Sequence, residues 1–566
     1  MKYFPEKLSV RWISTIYAAG DITPLELMGE IVRRAKATMH KNIWIIPPSL
    51  EFIEPFVRKI EKLPLDERGP LWGVPFAVKD NIDVANLATT AACPAYAYVP
   101  KAHAETVRRL VDVGAVPVGK TNMDQFATGL VGMRSPYGET HNAYQPELIS
   151  GGSSSGSAVS VALGMAAFAL GTDTAGSGRV PAALNTLVGY KPPIGSWSND
   201  GVVPACRSLD CVTVFANNIG DTALVDKVVR NTAGDSPRVL PKRILIPKEP
   251  PRFFGKWGDV YRRKWLEAVL RIERLGVEIL RVDTEVFSSA AKLLYDGAFV
   301  AERWADLGGF VDAHPGEVFS VTETILRTGA KKNAADLFKD IHAIGRMREQ
   351  VKSLLQDDII VMPTVGGTFT REEARGDPIA TNSLMGLYTN HCNLLNLCAI
   401  ALPENERDRD CPFGITFFSL AEDRLFAVAE KFMESCSCVL AVCGLHKKGF
   451  PLESQLTELG ARFLRHAKTA VKYRLFLLQG TPKRPGLIRY DDGAAIEVDL
   501  FELSLAKLGL FMEKVPSPLA IGSIELSDGT MVKGFLCEAC AVSGAEDITA
   551  LGGFTHELLG GVYPFR

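Results

Sequence analysis

The sequence predicts a layered α/β fold followed by a smaller, β-rich domain. From Gly73 onward, short apolar runs such as Val74-Pro-Phe-Ala-Val78 and Ala115-Val-Pro-Val118 alternate with helical stretches such as Ala104 to Val113. That is the pattern of strands buried on both faces of a helix-covered sheet. After a helix ending near Glu434 the texture changes to strands and hairpins: Val439 to Cys443, Tyr473 to Leu478, Ala495 to Asp499 and Ile521 to Leu526, with Asp528-Gly529 as a turn. A length of 566 residues, 47% hydrophobic and 23% charged, supports more than one core, so two domains are expected, at 1–435 and 436–566.

The first 62 residues read as helices. Thr23-Pro24 offers an N-cap and a proline at the first helical position, ahead of the apolar positions Leu27, Ile31 and Ala35. Between Gly151 and Gly178, two glycine- and serine-rich loops are joined by the apolar segment Ala158 to Leu170, expected to be a buried helix running into a strand. Residues 255–357 read as helical and charged. Ile359-Ile-Val-Met362 reads as a buried strand closed by Pro363, and Glu404 to Asp410 as a charged surface loop before the apolar Phe413 to Phe418.

Lys plus Arg total 63 against 65 Asp plus Glu, which excludes a global basic field for nucleic acid or an anionic membrane surface. The N-terminal MKYFPEKLSV has charges at Lys2, Glu6 and Lys7 in place of an apolar core, so no secretory signal is expected. The most apolar stretch, Ser157 to Gly171, falls short of the roughly 20 residues that span a bilayer. A cytoplasmic protein with no nucleic-acid or membrane partner is the expectation. The 11 cysteines are odd in number and scattered, as reduced buried thiols are. Cys537-Glu-Ala-Cys540 has metal-like spacing but lacks the second pair of ligands, so neither a metal nor a cofactor is expected.

Three segments carry the chemistry: Gly73-Val-Pro-Phe-Ala-Val-Lys-Asp-Asn81, Gly151-Gly-Ser-Ser-Ser-Gly-Ser157 and Gly171-Thr-Asp-Thr-Ala-Gly-Ser-Gly-Arg179. Alone each is commonplace, because Gly/Ser-rich runs are usually flexible turns and lone lysines are usually solvated. Together and in this order they resemble the amidase signature family. The resemblance implies a mixed central sheet covered by helices, with Ser177 as nucleophile and Lys79 as base. It places the bridging serine at Ser153, 24 positions before Ser177 and on a cis peptide bond.

Residue chemistry agrees with those roles. A serine hydroxyl is a poor nucleophile unless an adjacent base takes its proton, and none of the three segments contains a histidine. A lysine serves as that base when it is neutral, which burial behind an apolar strand favours. Thr174-Ala175-Gly176-Ser177 reads as an oxyanion hole, since small residues in a tight turn let successive N–H groups converge on one oxygen. Gly152-Ser-Ser-Ser-Gly156 also fits the GxSxG nucleophile elbow. That elbow needs a buried strand before it, whereas His141 to Glu147 is polar and contains Pro146.

Longer strings, Gly119 to Gln125, Gly132 to Gly138, Gly176 to Ala182, Tyr388 to Leu395 and the stretch from Gly444 through Glu538, resemble the allophanate hydrolases within that family. The resemblance covers nearly the whole chain. It implies allophanate as substrate, with ammonia released and N-carboxycarbamate decaying to further ammonia and carbon dioxide. A small anion with a carboxylate suits a guanidinium fork, and Tyr295 and Arg303 resemble the family's substrate-binding pair. Eight residues apart, they would lie near one helical face; a surface ion pair for Arg303 and a core position for Tyr295 is the alternative. Gly132 and Arg134 are further substrate-binding candidates, and Arg179 reads as a brace for the nucleophile loop. Glu404 to Asp410 departs from the family pattern, where a shorter glycine-containing turn is expected after Pro403.

Val439 to His446 resembles the first strand and loop of a γ-glutamylcyclotransferase-like α+β fold. His446 is there a candidate proton donor to nitrogen as N-carboxycarbamate loses carbon dioxide. A packing or dimerising role for this domain is the alternative. The resemblance further implies a homodimer fed with its anionic substrate by a separate allophanate-producing enzyme, since no biotin-attachment Met-Lys-Met occurs. Two other readings stay open: a different amidase-signature amidohydrolase, and a non-catalytic scaffold that keeps the fold.

Overall fold

A computed structural model describes residues 4–230, 238–294, 296–405, 408–435, 437–480 and 482–559. The chain divides into two compact units, Met1–Glu430 and Lys431–Arg566.

The first unit is built on one sheet of eleven strands: β1 (Trp44–Ile46), β2 (Pro75–Lys79), β3 (Val116–Thr121), β4 (Phe168–Asp173), β5 (Val188–Lys191), β6 (Cys211–Ala216), β7 (Arg243–Pro247), β8 (Glu278–Val282), β9 (Ile359–Pro363), β10 (Cys398–Pro403) and β11 (Gly414–Ser419). Their spatial order is β1-β3-β2-β4-β6-β5-β10-β11-β9-β7-β8. β2 runs parallel to β3 and β4, and β7 parallel to β8 and β9, while the strands between pair antiparallel. The sheet is therefore mixed, as expected. Every residue of β2, β3, β4, β5, β6, β9, β10 and β11 is buried, which explains why these strands read as continuous apolar runs rather than alternating ones.

Local signals place the helices. Thr23 Oγ1 accepts the Glu26 N–H while the Glu26 carboxylate accepts the Thr23 N–H, a full capping box at the start of Pro24–Ala37. Two strands lie where helices alone were expected. β1, three half-buried residues, interrupts the N-terminal helices by pairing with β3; β8 is an edge strand with polar, exposed positions inside the 255–357 region. Short edge strands bury little and so leave a weak apolar pattern.

The helix Ser155–Ala162, Ser-Gly-Ser-Ala-Val-Ser-Val-Ala, is buried all round. Its serines are tolerated because each finds a partner: Ser157 Oγ donates to the Leu170 carbonyl at 2.9 Å and Ser160 Oγ to the Ser157 carbonyl at 2.8 Å. Small side chains let this helix lie close against the sheet, which brings its N-terminus to the ends of β2 and β4.

The second unit has a five-stranded and a three-stranded sheet. Its strands are β12 (Ser437–Val442), β13 (Arg462–Lys468), β14 (Tyr473–Leu478), β15 (Arg484–Arg489), β16 (Glu497–Ser504), β17 (Leu519–Glu525), β18 (Met531–Cys537) and β19 (Glu546–Asp547). The larger sheet runs β13-β16-β12-β18-β17 and the smaller β15-β14-β19. Leu440, Val442, Tyr473, Leu475, Phe501 and Phe511 belong to its own apolar core. Among the described residues, no helix of either unit is long and apolar enough to cross a membrane.

Candidate active site

Lys79 is the last residue of β2, and Thr172 lies near the end of the neighbouring parallel strand β4, in register through Val78 and Leu170. Both side chains thus emerge where ligands collect in α/β proteins, at the carboxyl ends of parallel strands. Ser153 stands just before the helix Ser155–Ala162, and Ser177 just before Val180–Leu184. The three predicted residues meet. Lys79 Nζ lies 2.8 Å from Ser153 Oγ and 2.8 Å from Thr172 Oγ1, and Ser153 Oγ donates to Ser177 Oγ at 3.0 Å. Lys79 and Ser153 are wholly buried and Ser177 is 3% exposed. Such an amine–hydroxyl–hydroxyl chain can carry a proton from Ser177 to Lys79.

An aspartate sits behind each loop. The peptide bond Gly152–Ser153 is cis, and the Ser153 carbonyl accepts the Asp124 N–H at 3.1 Å. The Asp124 carboxylate in turn accepts the Gly132 N–H at 3.0 Å and the Arg134 N–H at 2.8 Å. Gly132 has φ +77°, and a Cβ there would sit 2.3 Å from Ser150 Oγ, so the position admits only glycine.

On the Ser177 side, Arg179 forks onto both oxygens of Asp173 at 2.9 Å, and Gly178 N–H donates to the same carboxylate at 2.9 Å. Arg179 also reaches the Thr389 carbonyl at 3.1 Å, so it braces the loop. Thr174 Oγ1 donates to Asp210 at 2.5 Å, and Asp210 accepts the Ala205 and Cys206 N–H groups at 2.8 and 3.0 Å. Among the described residues, no acceptor takes the N–H groups of Ala175, Gly176 or Ser177. Gly176 has φ +146°, a backbone conformation that leaves those amides in a tight turn.

Burial pushes the Lys79 amine down to about 7, against the opposing pull of the Asp124, Asp210 and Asp173 carboxylates. The lysine is therefore substantially neutral near physiological pH. Burial works against the Asp173 carboxylate too, but the Arg179 guanidinium, with Lys191 and the Gly178 N–H, more than offsets it and holds the group below the usual carboxylate range. Burial raises the Asp210 carboxyl despite the bonds from Thr174, Cys206 and Ala205 and the charge of Arg303.

The remaining predicted residues are placed differently. Arg303 is 1% exposed on the helix Val300–Ala313 and donates to Thr128 Oγ1 at 3.0 Å. Tyr295 lies outside the described residues. Of the described residues around it, one helix ends at Leu293 and the next begins at Val300. Between the two helices the Asp340 carboxylate accepts the Ala298 N–H at 2.6 Å. Arg134 directs its guanidinium to the Thr128 and Pro378 carbonyls, at 2.9 and 2.7 Å. In the loop that departs from the family pattern, Glu404 is buried and its carbonyl accepts from Arg271; residues 406–407 lie outside the description.

His446 lines a cavity of about 280 Å³ in the second unit together with Gly444, Gln455, Arg484 and Phe535. Its Nε2 lies 3.1 Å from Gln455 Oε1 and its ring stacks on Phe535. Burial lowers the imidazole below its ordinary value, against the Gln455 hydrogen bond.

Sequence reasoning missed Thr172, Asp124 and Asp210. Thr172 and Asp124 sit inside quoted motifs, so their nearness was a usable signal. Asp210 has none, since its partner Thr174 is 36 positions away.

A family model described as Amidase matches residues 51–423, and one described as the allophanate hydrolase C-terminal domain matches residues 438–558. The urea amidolyase of Saccharomyces cerevisiae (strain ATCC 204508 / S288c) is 38% identical, over 96% of this chain and 32% of its own length. The chain thus spans about a third of the length of the two urea amidolyases it matches. The solved structure of selenomethionine-substituted Kluyveromyces lactis allophanate hydrolase is 36% identical, with a TM-score of 0.69, covering 96% of this chain and 98% of that one. The K. lactis urea amidolyase structure is also 36% identical, with a TM-score of 0.70, covering 97% of this chain and 36% of that one. The buried Lys79, Ser153 and Ser177 and these full-length likenesses lead to one statement: the chain belongs to the amidase family and carries the allophanate hydrolase C-terminal domain.

Proposed function

We propose that this chain hydrolyses allophanate through a seryl acyl-enzyme. The observation that carries the reading is the unbroken buried contact from Lys79 through Ser153 to Ser177. Ser177 attacks the terminal carbonyl as its proton passes to Ser153 and the Ser153 proton to neutral Lys79. The tetrahedral oxyanion forms beside the N–H groups of the Thr174–Ser177 turn, where each donor is worth on the order of 100-fold or more in rate. The proton then returns by the same route to the leaving nitrogen, and ammonia departs. Water repeats the sequence on the acyl-enzyme and frees N-carboxycarbamate.

In this reading Arg303, together with Tyr295 eight positions earlier, receives the substrate carboxylate. Arg134 and Gly132 shape the loop behind Ser153 through Asp124. His446 carries a proton to nitrogen as N-carboxycarbamate loses carbon dioxide. The two domains divide near residue 435, and the protein works as a cytoplasmic homodimer supplied by a separate allophanate-producing enzyme.

The test is ammonia release from freshly prepared allophanate, set beside biuret, malonamate, glutamine and simple neutral amides, with Ser177→Ala as control. Allophanate is expected to be turned over fastest. Preference for neutral amides or for glutamine overturns the substrate but leaves the acyl-enzyme standing. A Ser177→Ala enzyme as active as its parent overturns both.

A further inference from the structure

The helix Val300–Ala313 is tied to both reactive loops through two adjacent residues. The Glu302 carboxylate accepts the Ser208 N–H at 2.8 Å and Ser208 Oγ–H at 2.6 Å, and lies 2.8 Å from Cys206 Sγ. The segment it grips is the one whose Ala205 and Cys206 N–H groups hold Asp210, the acceptor of Thr174 Oγ1 in the Ser177 turn. One residue on, Arg303 donates to Thr128 Oγ1, inside the segment whose Asp124 holds Ser153. A short run of hydrogen bonds thus joins the backbone that carries the Arg303 guanidinium to the turn that carries the Ser177 hydroxyl.

Core packing does not account for this tether. Glu302 is half-buried and Ser208 exposed, yet three contacts converge from the 206–208 segment on one carboxylate. A small anion gripped at one end and attacked at the other is sensitive to that span, because a misplacement of about 1 Å can cost on the order of 100-fold in rate.

We propose that Glu302 is a positioning residue that sets how far the Arg303 guanidinium stands from the Ser177 hydroxyl, and so selects short amides bearing a carboxylate at one distance from the scissile carbonyl. The inference rests on the reading of Arg303 as the carboxylate anchor.

The full chain is assayed with allophanate, malonamate, its one-methylene-longer homologue succinamate, and uncharged propionamide. Glu302→Ala is expected to lower kcat/KM for allophanate and malonamate about tenfold, as for one lost charge-assisted hydrogen bond, mainly through KM. It is also expected to narrow the preference for malonamate over succinamate and to change propionamide turnover less than about twofold. Glu302→Gln, whose amide oxygen still accepts the Ser208 N–H, restores most of the loss. In an Arg303→Lys background Glu302→Ala adds nothing, because its effect passes through that guanidinium. If Glu302→Ala does not fold, Ser208→Ala shows a smaller loss in the same direction. Equal losses on all four substrates, or full additivity with Arg303→Lys, overturn the proposal. An Arg303→Lys enzyme that keeps its preference for anionic amides overturns the anchor reading itself.

Discussion

Lys79 shows how one residue's surroundings decide its chemistry. An exposed lysine is charged at neutral pH and useless as a base, but burial brings this one to about 7. In the proposed role as base the neutral amine is the competent form, so kcat/KM is expected to rise with pH through about 7 and level off above it, falling roughly tenfold per unit on the acid side. A pH–rate profile with no acid limb in that region sinks the assignment. Among the charges that hold Lys79 up, Asp124 contributes most. Removing its charge lets the lysine fall further, so Asp124→Asn is expected to move the acid limb to lower pH by about half a unit to one unit. The asparagine oxygen can still accept one of the Gly132 and Arg134 N–H groups, so the shift reports charge as well as position. A limb moved to higher pH contradicts the electrostatics.

At the scale of elements, the site is made where two helices start beside the ends of two parallel strands. The β4 strand leads directly into the Ser177 turn, and Ser154 Oγ ties the other loop to Thr172 by donating to its carbonyl at 3.1 Å. Gly176 is the critical joint, since a Cβ there would sit 2.3 Å from Thr389 Oγ1 in a conformation that side chains rarely adopt. Gly176→Ala is expected to lower kcat by on the order of 100-fold with a modest change in KM, through displaced oxyanion donors. Steady-state kinetics on allophanate decide it. Far from this joint, the capping box at Thr23 supports helix Pro24–Ala37 and nothing chemical. Thr23→Ala is expected to cost about 1 kcal/mol in a urea titration and to leave kcat/KM unchanged. A change in activity would show that the helix does more than scaffold.

At the scale of the molecule, the second unit has its own sheets, core and cavity. Burial holds the imidazole of His446 below its ordinary value, which favours the neutral form that the proposed proton carrier needs at physiological pH. In the full-length protein, His446→Asn is expected to leave the first ammonia release unchanged and to slow the appearance of carbon dioxide, read by following both products in one assay. Parallel loss of both products, or of neither, removes the catalytic reading of this cavity.

The alternation of buried strands with helices, the capping box and the Lys79, Ser153 and Ser177 motifs were legible because each is a local matter of spacing and residue type. Edge strands β1 and β8 were not, since three half-buried or mostly exposed residues carry little periodicity. Nor was the break between Leu293 and Val300. Gly297 was the local signal there, but the Ala298 N–H bonds to Asp340, 42 positions later, where spacing does not reach.

By itself, then, the sequence determined the fold class, the order of the two units and the three residues, Lys79, Ser153 and Ser177, that meet in one buried hydrogen-bonded contact. The tertiary structure decided what those residues need in order to act. Burial lowers Lys79 to about 7, Asp210 reaches across 36 positions to Thr174, and Glu302 ties the helix of Arg303 to the segment at Ser208. Local chemistry is written in neighbouring letters, whereas desolvation and distance between groups exist only once the chain has closed on itself.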